Sequence, residues 1–182
     1  MDNINRIEID GRQITLAGDP ATETWVMIPF EDEDIGPMID YIREKGKDIF
    51  AVGIKVNDWN DELSPWKSKA VFGDHDFGDG AERTLQFIET RLLPELDCIY
   101  PSDETHRLVL GGYSLAGLFA VWAAFRTDLF DAVVGASPSV WFDAFDDYFR
   151  AEKPLVSHIY LSLGDREERT SNPRMARVGD RI

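Results

Sequence analysis

Basic residues, cysteine and long apolar runs are all scarce in this chain, and each scarcity closes off a class of function. Its 19 lysines and arginines face 34 aspartates and glutamates, for a formal net charge of −15. The acids are scattered rather than gathered in a tail, which opposes binding to nucleic acid or to an anionic membrane, since both need basic patches. The single cysteine, Cys98, excludes an internal disulfide framework and fits a reducing compartment. It follows an amphipathic stretch and is expected to be buried packing. No run reaches transmembrane length and the amino terminus is polar and acidic, unlike a signal peptide, so a cytoplasmic protein is expected. Histidine is scarce too: only His75, His106 and His158 are present.

What is present argues for a globular enzyme-sized unit. The chain has 182 residues, 43% of them hydrophobic and 12% aromatic, enough to bury a substantial core and too apolar for disorder. It is expected to form one domain over residues 1–182. Arg6 to Leu16 alternates apolar and polar residues around Asp10-Gly11, as a hairpin does. Strands are then predicted at Trp25–Phe30, Ile49–Val56, Arg107–Leu110, Ala132–Ala136 and His158–Leu163. Helices are predicted at Ile35–Lys45, Ala81–Leu96, Leu115–Phe125 and Val140–Arg150. That alternation makes an α/β fold with a mainly parallel sheet and an N-terminal antiparallel hairpin. A long polar and aromatic segment, Asn57 to Gly80, interrupts it, and loops of this length usually carry function or cover a site.

The most informative run is Leu108 to Trp122. An apolar strand meets Gly111-Gly112, Ser114 follows, and Ala116-Gly117 leads straight into a helix. A strand-to-helix turn this sharp strains the serine backbone and lifts its hydroxyl from the sheet edge, and only small residues fit around it. This is the pattern of a nucleophile elbow. Ala116 stands where the strict pattern has glycine, and alanine is the next smallest side chain.

The chain resembles the α/β-hydrolase superfamily, and most of all the serine esterases of the esterase D, siderophore-esterase and feruloyl-esterase group. Gly112 to Leu118, Gly135 to Trp141 and Tyr160 to Glu167 carry the resemblance, which covers about residues 24 to 182. It implies a triad of serine, acid and histidine in that order along the chain. Ser114 would be the nucleophile, and the acid would follow the strand His158–Leu163, with Glu167 preferred by its place three residues past Gly164 and Asp165 next. The Leu115 N–H would face the oxyanion, with a second donor after an earlier strand at Val56 or Asn57. Trp59, Trp66, Tyr113 and Trp141 are candidates to line the substrate pocket, which would suit a small aryl or short-acyl ester. No metal or cofactor is implied: Asp74-His75-Asp76 lacks the spacing of a ligand set, and no phosphate-binding or dinucleotide fingerprint occurs.

All three histidines precede Glu167. The resembling enzymes continue with a helix, a further strand and the histidine loop, so the resemblance implies a clipped esterase that is weak or inactive. Self-association through an exposed sheet edge is then expected. Two other readings remain open: an α/β-hydrolase-like module that binds ligand without catalysis, and an acyltransferase.

Overall fold

A computed structural model describes residues 4–30, 35–71, 73–101 and 106–181. Seven strands form one sheet in the order β1-β2-β4-β3-β5-β6-β7. β1 (Asn5–Ile9) and β2 (Arg12–Gly18) are the expected antiparallel hairpin, closed at Asp10 (φ 49°) and Gly11 (φ 77°). Both turn residues in the left-handed region match the twist of the flanking strands. β2 pairs antiparallel with β4 (Phe50–Ile54). From there the sheet is parallel through β3 (Thr24–Ile28), β5 (Leu108–Tyr113), β6 (Ala132–Ala136) and β7 (His158–Ser162).

Side chains alternate between two faces, as a pleat requires. Val26, Ile28, Phe50, Val52 and Ile54 point into the larger cluster with the helix α5 (Leu115–Ala123) and a long helical stretch over residues 81–99. Met27, Ile49 and Ala51 point the other way, into a smaller cluster under α1 (Gly36–Glu44) with Ile35 and Ile39. Every residue of β4 is buried, which explains why it reads as a continuous apolar run. β7 ends the sheet, with Tyr160 64% exposed.

Three local expectations are corrected. Helix was expected to stop near Leu96, but it runs from α3 (Ala81–Phe87) through a π-helical turn at Ile88–Leu92 into α4 (Leu93–Ile99). The wider turn comes just before Pro94, which has no N–H to give to the hydrogen-bond ladder. Leu85, Ile88, Leu92 and Leu96 form its buried stripe as expected, whereas Cys98 is exposed. Two residues beyond Leu96 lies roughly 200° further round a helix of 3.6 residues per turn, away from that stripe.

The third correction concerns α6, which is Phe145–Ala151 rather than Val140–Arg150. Val140, Trp141 and Phe142 are buried in a tight turn after β6, and Ala144 at φ 57° breaks the helical path before α6 begins. The long segment after β4 is similarly tied down. α2 (Trp59–Glu62) is capped by the Asp58 carboxylate, and Ser68 pairs with Phe77 across an antiparallel bridge.

Candidate active site

The order β4-β3-β5 marks the place where the chain stops building the sheet in one direction and starts in the other. In open α/β sheets, ligands bind beyond the carboxyl ends of the strands at such a switch. Ser114 stands there, one residue past β5, with φ 57° and ψ −119°. A non-glycine residue in that region costs on the order of 1–3 kcal/mol and persists only where its surroundings dictate it. Those surroundings are visible. The Ser114 N–H donates to Ala136 O at 3.1 Å, and its carbonyl accepts from Leu118 N and Ser139 N, each at 3.0 Å. A Cβ on Gly112 would lie 2.2 Å from the Ala116 carbonyl oxygen, so the strand and helix close only around glycine.

The Ser114 side chain is half-buried, and its Oγ lies 3.4 Å from that of Ser139, which is 1% exposed. Leu115 opens α5, and N–H groups of a first helical turn have no acceptor within the helix. They also carry the positive end of the helix dipole, which favours developing negative charge.

Past β7 the two candidate acids part company. The Asp165 side chain is 90% exposed and pairs only loosely with Arg166, at 4.0 Å. Glu167 is half-buried and turns inward, its Oε1 accepting from Ser137 Oγ and from the Gly164 N–H at 2.7 Å. Ser137 follows β6, as Ser114 follows β5, so the carboxyl ends of neighbouring strands bring both groups to one rim.

The expected second oxyanion donors stand on the same rim but not next to the elbow. β4 is separated from β5 by β3, so Val56 and Asn57, which follow β4, lie one strand further off. The Asn57 N–H is also taken, donating to Glu62 Oε1 at 2.7 Å, and the Asp58 N–H joins it at 3.0 Å. Glu62 in turn pairs with Arg12, a nearly buried arrangement that fastens the loop to the hairpin. Val56 is buried in the core. The strand beside the elbow is β3, with Ile28 opposite Gly112, and its continuation is Pro29-Phe30.

Of the four candidate pocket aromatics, Tyr113 lines a cavity of about 270 Å³ beside the elbow, with Trp25, Phe30, Met38 and Val134. Trp59 stands behind Phe30, with ring centroids 4.9 Å apart. Trp66 acts as an anchor: its Nε1 donates to Asp143 O at 2.8 Å and its ring packs against Phe142 and Tyr148. Trp141 is buried against Phe77 and Phe142. Rings that are hydrogen-bonded and packed in this way hold the loop over residues 57–80 onto the segment before α6.

No histidine is hydrogen-bonded to Ser114 among the described residues. His106 bonds Thr24 Oγ1 at 2.7 Å, and His158 begins β7, so both lie at the amino ends of the strands. A strand of six residues separates the two ends by roughly 20 Å. His75 is exposed, and its carbonyl accepts from Asn60 Nδ2. Sequence reasoning missed Ser137, Ser139 and Phe30. The serines belong to Gly135-Ala136-Ser137-Pro138-Ser139, where small and turn-forming residues crowd a strand end just as they do at the elbow.

The family described as "Putative esterase" matches residues 34–178. The chain belongs to this esterase family. It is 36% identical over 66 residues to a siderophore triacetylfusarinine C esterase of Aspergillus fumigatus, a match that takes in 36% of this chain and 23% of that protein. The solved structure of the siderophore hydrolase EstA from Aspergillus nidulans superposes with a TM-score of 0.70 at 19% identity, over 96% of this chain and 75% of EstA. An IroE-like serine hydrolase from Shewanella oneidensis gives 0.65 at 22% identity, over 82% of this chain and 54% of that one. The two structures share the fold of this esterase-family chain. The match to the curated relative spans under a quarter of that relative's length.

Proposed function

We propose that Ser114 is the nucleophile of a carboxylic-ester hydrolase and that Glu167 is its acid. The strained backbone of Ser114 carries this reading, because a fold keeps a serine at φ 57° beside a strand-end cavity only where the surroundings enforce it. The hydroxyl would attack the ester carbonyl, and the Leu115 N–H would receive the negative charge that develops on its oxygen. The second donor comes from the continuation of β3. Pro29 has no N–H, so the first amide there is that of Phe30, in place of Val56 or Asn57. Siderophore esters are the substrates to try first, since two similar proteins are described as acting on siderophores.

The base is the one group that no described residue places beside Ser114. Without it the hydroxyl is a poor nucleophile, and a site that has lost one triad member retains roughly a thousandfold acceleration over water. Slow turnover of p-nitrophenyl acetate is therefore expected, together with slow covalent labelling by a fluorophosphonate. The labelling should vanish in Ser114→Ala, whereas residual hydrolysis owed to the oxyanion hole and binding alone should persist. A second reading, a module that binds ligand without chemistry, draws on the same missing contact. It would prevail if the parent chain takes no label, or if Ser114→Ala labels equally well.

A further inference from the structure

The three residues after β6 touch both halves of the proposed machinery. Ser137 adopts φ 44°, a left-handed conformation uncommon for a side chain with a Cβ. Its N–H donates to Ser162 O at 2.7 Å, which carries the β6–β7 pairing one residue further, and its hydroxyl donates to Glu167 Oε1. Two residues on, the Ser139 N–H donates to the carbonyl of Ser114 at 3.0 Å, with the buried Ser139 hydroxyl 3.4 Å from Ser114 Oγ. Pro138 fills the gap between them. Its atoms lie where a Cβ on Gly117 or Gly135 would meet them, at 3.1 and 3.4 Å, so the turn is wedged between α5 and β6.

We infer that Ser137 is the positioning residue of Glu167, and that the Ser137-Pro138-Ser139 turn sets the distance between acid and nucleophile. This rests on the reading of Ser114 and Glu167 given above. A carboxylate held by one donor can pivot about that contact. With Ser137 Oγ and the Gly164 N–H both on Oε1, the group is pinned, and Oε2 is presented in one fixed direction. No described residue donates to Oε2. An imidazole N–H that met it there would be oriented with its other nitrogen free to take the proton of Ser114.

Imidazole added to the full 182-residue chain serves as the probe for that position, and fluorophosphonate labelling of Ser114 as the readout. The parent rate should rise with imidazole. Ser137→Gly is the decisive variant, because glycine relieves the left-handed backbone and so favours folding while removing the hydroxyl. The ratio of stimulated to unstimulated rate should fall about tenfold in Ser137→Gly, since misplacing a catalytic group by about an ångström costs up to about a hundredfold. In a Glu167→Gln background the same change should cost nothing further, because Ser137 acts through that carboxylate. An unchanged ratio in Ser137→Gly overturns the proposal. So does an equal loss in both backgrounds, or a parent that imidazole does not stimulate. If labelling survives Ser114→Ala, or the parent takes no label, the nucleophile assignment falls and this role falls with it.

Discussion

The turns at Asp10-Gly11 and at Ser114 each place a side chain at positive φ, and they do so for opposite reasons. At Asp10-Gly11 the left-handed backbone is what a two-residue hairpin wants, the residues are exposed, and glycine takes the second position at no steric cost. At Ser114 the same sign of φ is imposed by the junction of β5 with α5, and the flanking glycines are there to let backbone approach backbone. The hairpin turn follows local preference. The elbow works against local preference and is kept by tertiary contacts. Where a fold tolerates such a conflict, a functional site is the usual cause.

The comparison breaks most visibly at Gly112. Gly112→Ala puts a Cβ 2.2 Å from the Ala116 carbonyl oxygen and 2.7 Å from Gly117 N, both backbone atoms with no side-chain freedom to yield. The elbow must open or the helix must shift, and a loss of about 3 kcal/mol, the upper end for over-packed cores, is expected. Urea unfolding followed by circular dichroism measures it. A variant within 1 kcal/mol of the parent would show that the junction is looser than its geometry implies. Gly11→Ala in the hairpin, where a Cβ meets nothing within 4 Å, pays only for its φ of 77° and should cost clearly less.

A smaller effect of opposite sign is expected at the nucleophile itself. Ser114→Gly removes the penalty of a side chain at φ 57°, on the order of 1–3 kcal/mol, and adds the entropy of a glycine in the unfolded chain, roughly 0.5–1 kcal/mol. The balance is a gain of about 1 kcal/mol, or about 2–4 °C in melting temperature for a chain of this size. The same substitution should abolish fluorophosphonate labelling. Stability gained while labelling is lost is the signature of strain held for function. Stability lost would place Ser114 among ordinary structural residues.

Much of this contrast was legible in the residues. Alternation around Asp10-Gly11 and the strand-glycine-serine-helix run around Ser114 are local patterns, spanning fewer residues than the elements they join. The second oxyanion donor proposed above was not legible, because it depends on which strand lies beside β5. β3 pairs with β5 across some 80 residues of chain, and nothing in either segment names the other. The roles of the loop tryptophans stayed open for a related reason. A tryptophan in a long loop reads equally as a pocket wall or as an anchor, and only the Trp66 bond to Asp143, 77 residues away, decides it. Ser137 and Ser139 were in view as part of the matching segment, but their partners Glu167 and Ser114 lie 30 and 25 residues away. Cys98 could have been placed from sequence, by counting its angle from the leucine stripe.

The gentlest test returns to the hairpin, where the charge on Asp10 can be separated from the turn it occupies. Asp10 faces Arg91 on the π-helical turn through both carboxylate oxygens, with Arg91 Nη2 to Oδ1 at 2.9 Å. The hydrogen bond from Arg91 holds the Asp10 carboxyl below its ordinary value, against a smaller opposing effect of desolvation. A carboxyl with a lowered value in the folded state stabilises the fold above its unfolded value near 3.9, and that contribution disappears as pH falls through the lowered value. Asp10→Asn keeps a residue that tolerates positive φ and removes the charge. Its melting temperature should lie slightly below the parent's at pH 7, and the difference should close as pH falls below about 4 and shrink in molar salt, since an exposed pair is screened. A difference that persists at low pH would mean that the turn geometry, rather than the ion pair, had been disturbed. The hairpin turn and the elbow would then be more alike than their surroundings suggest.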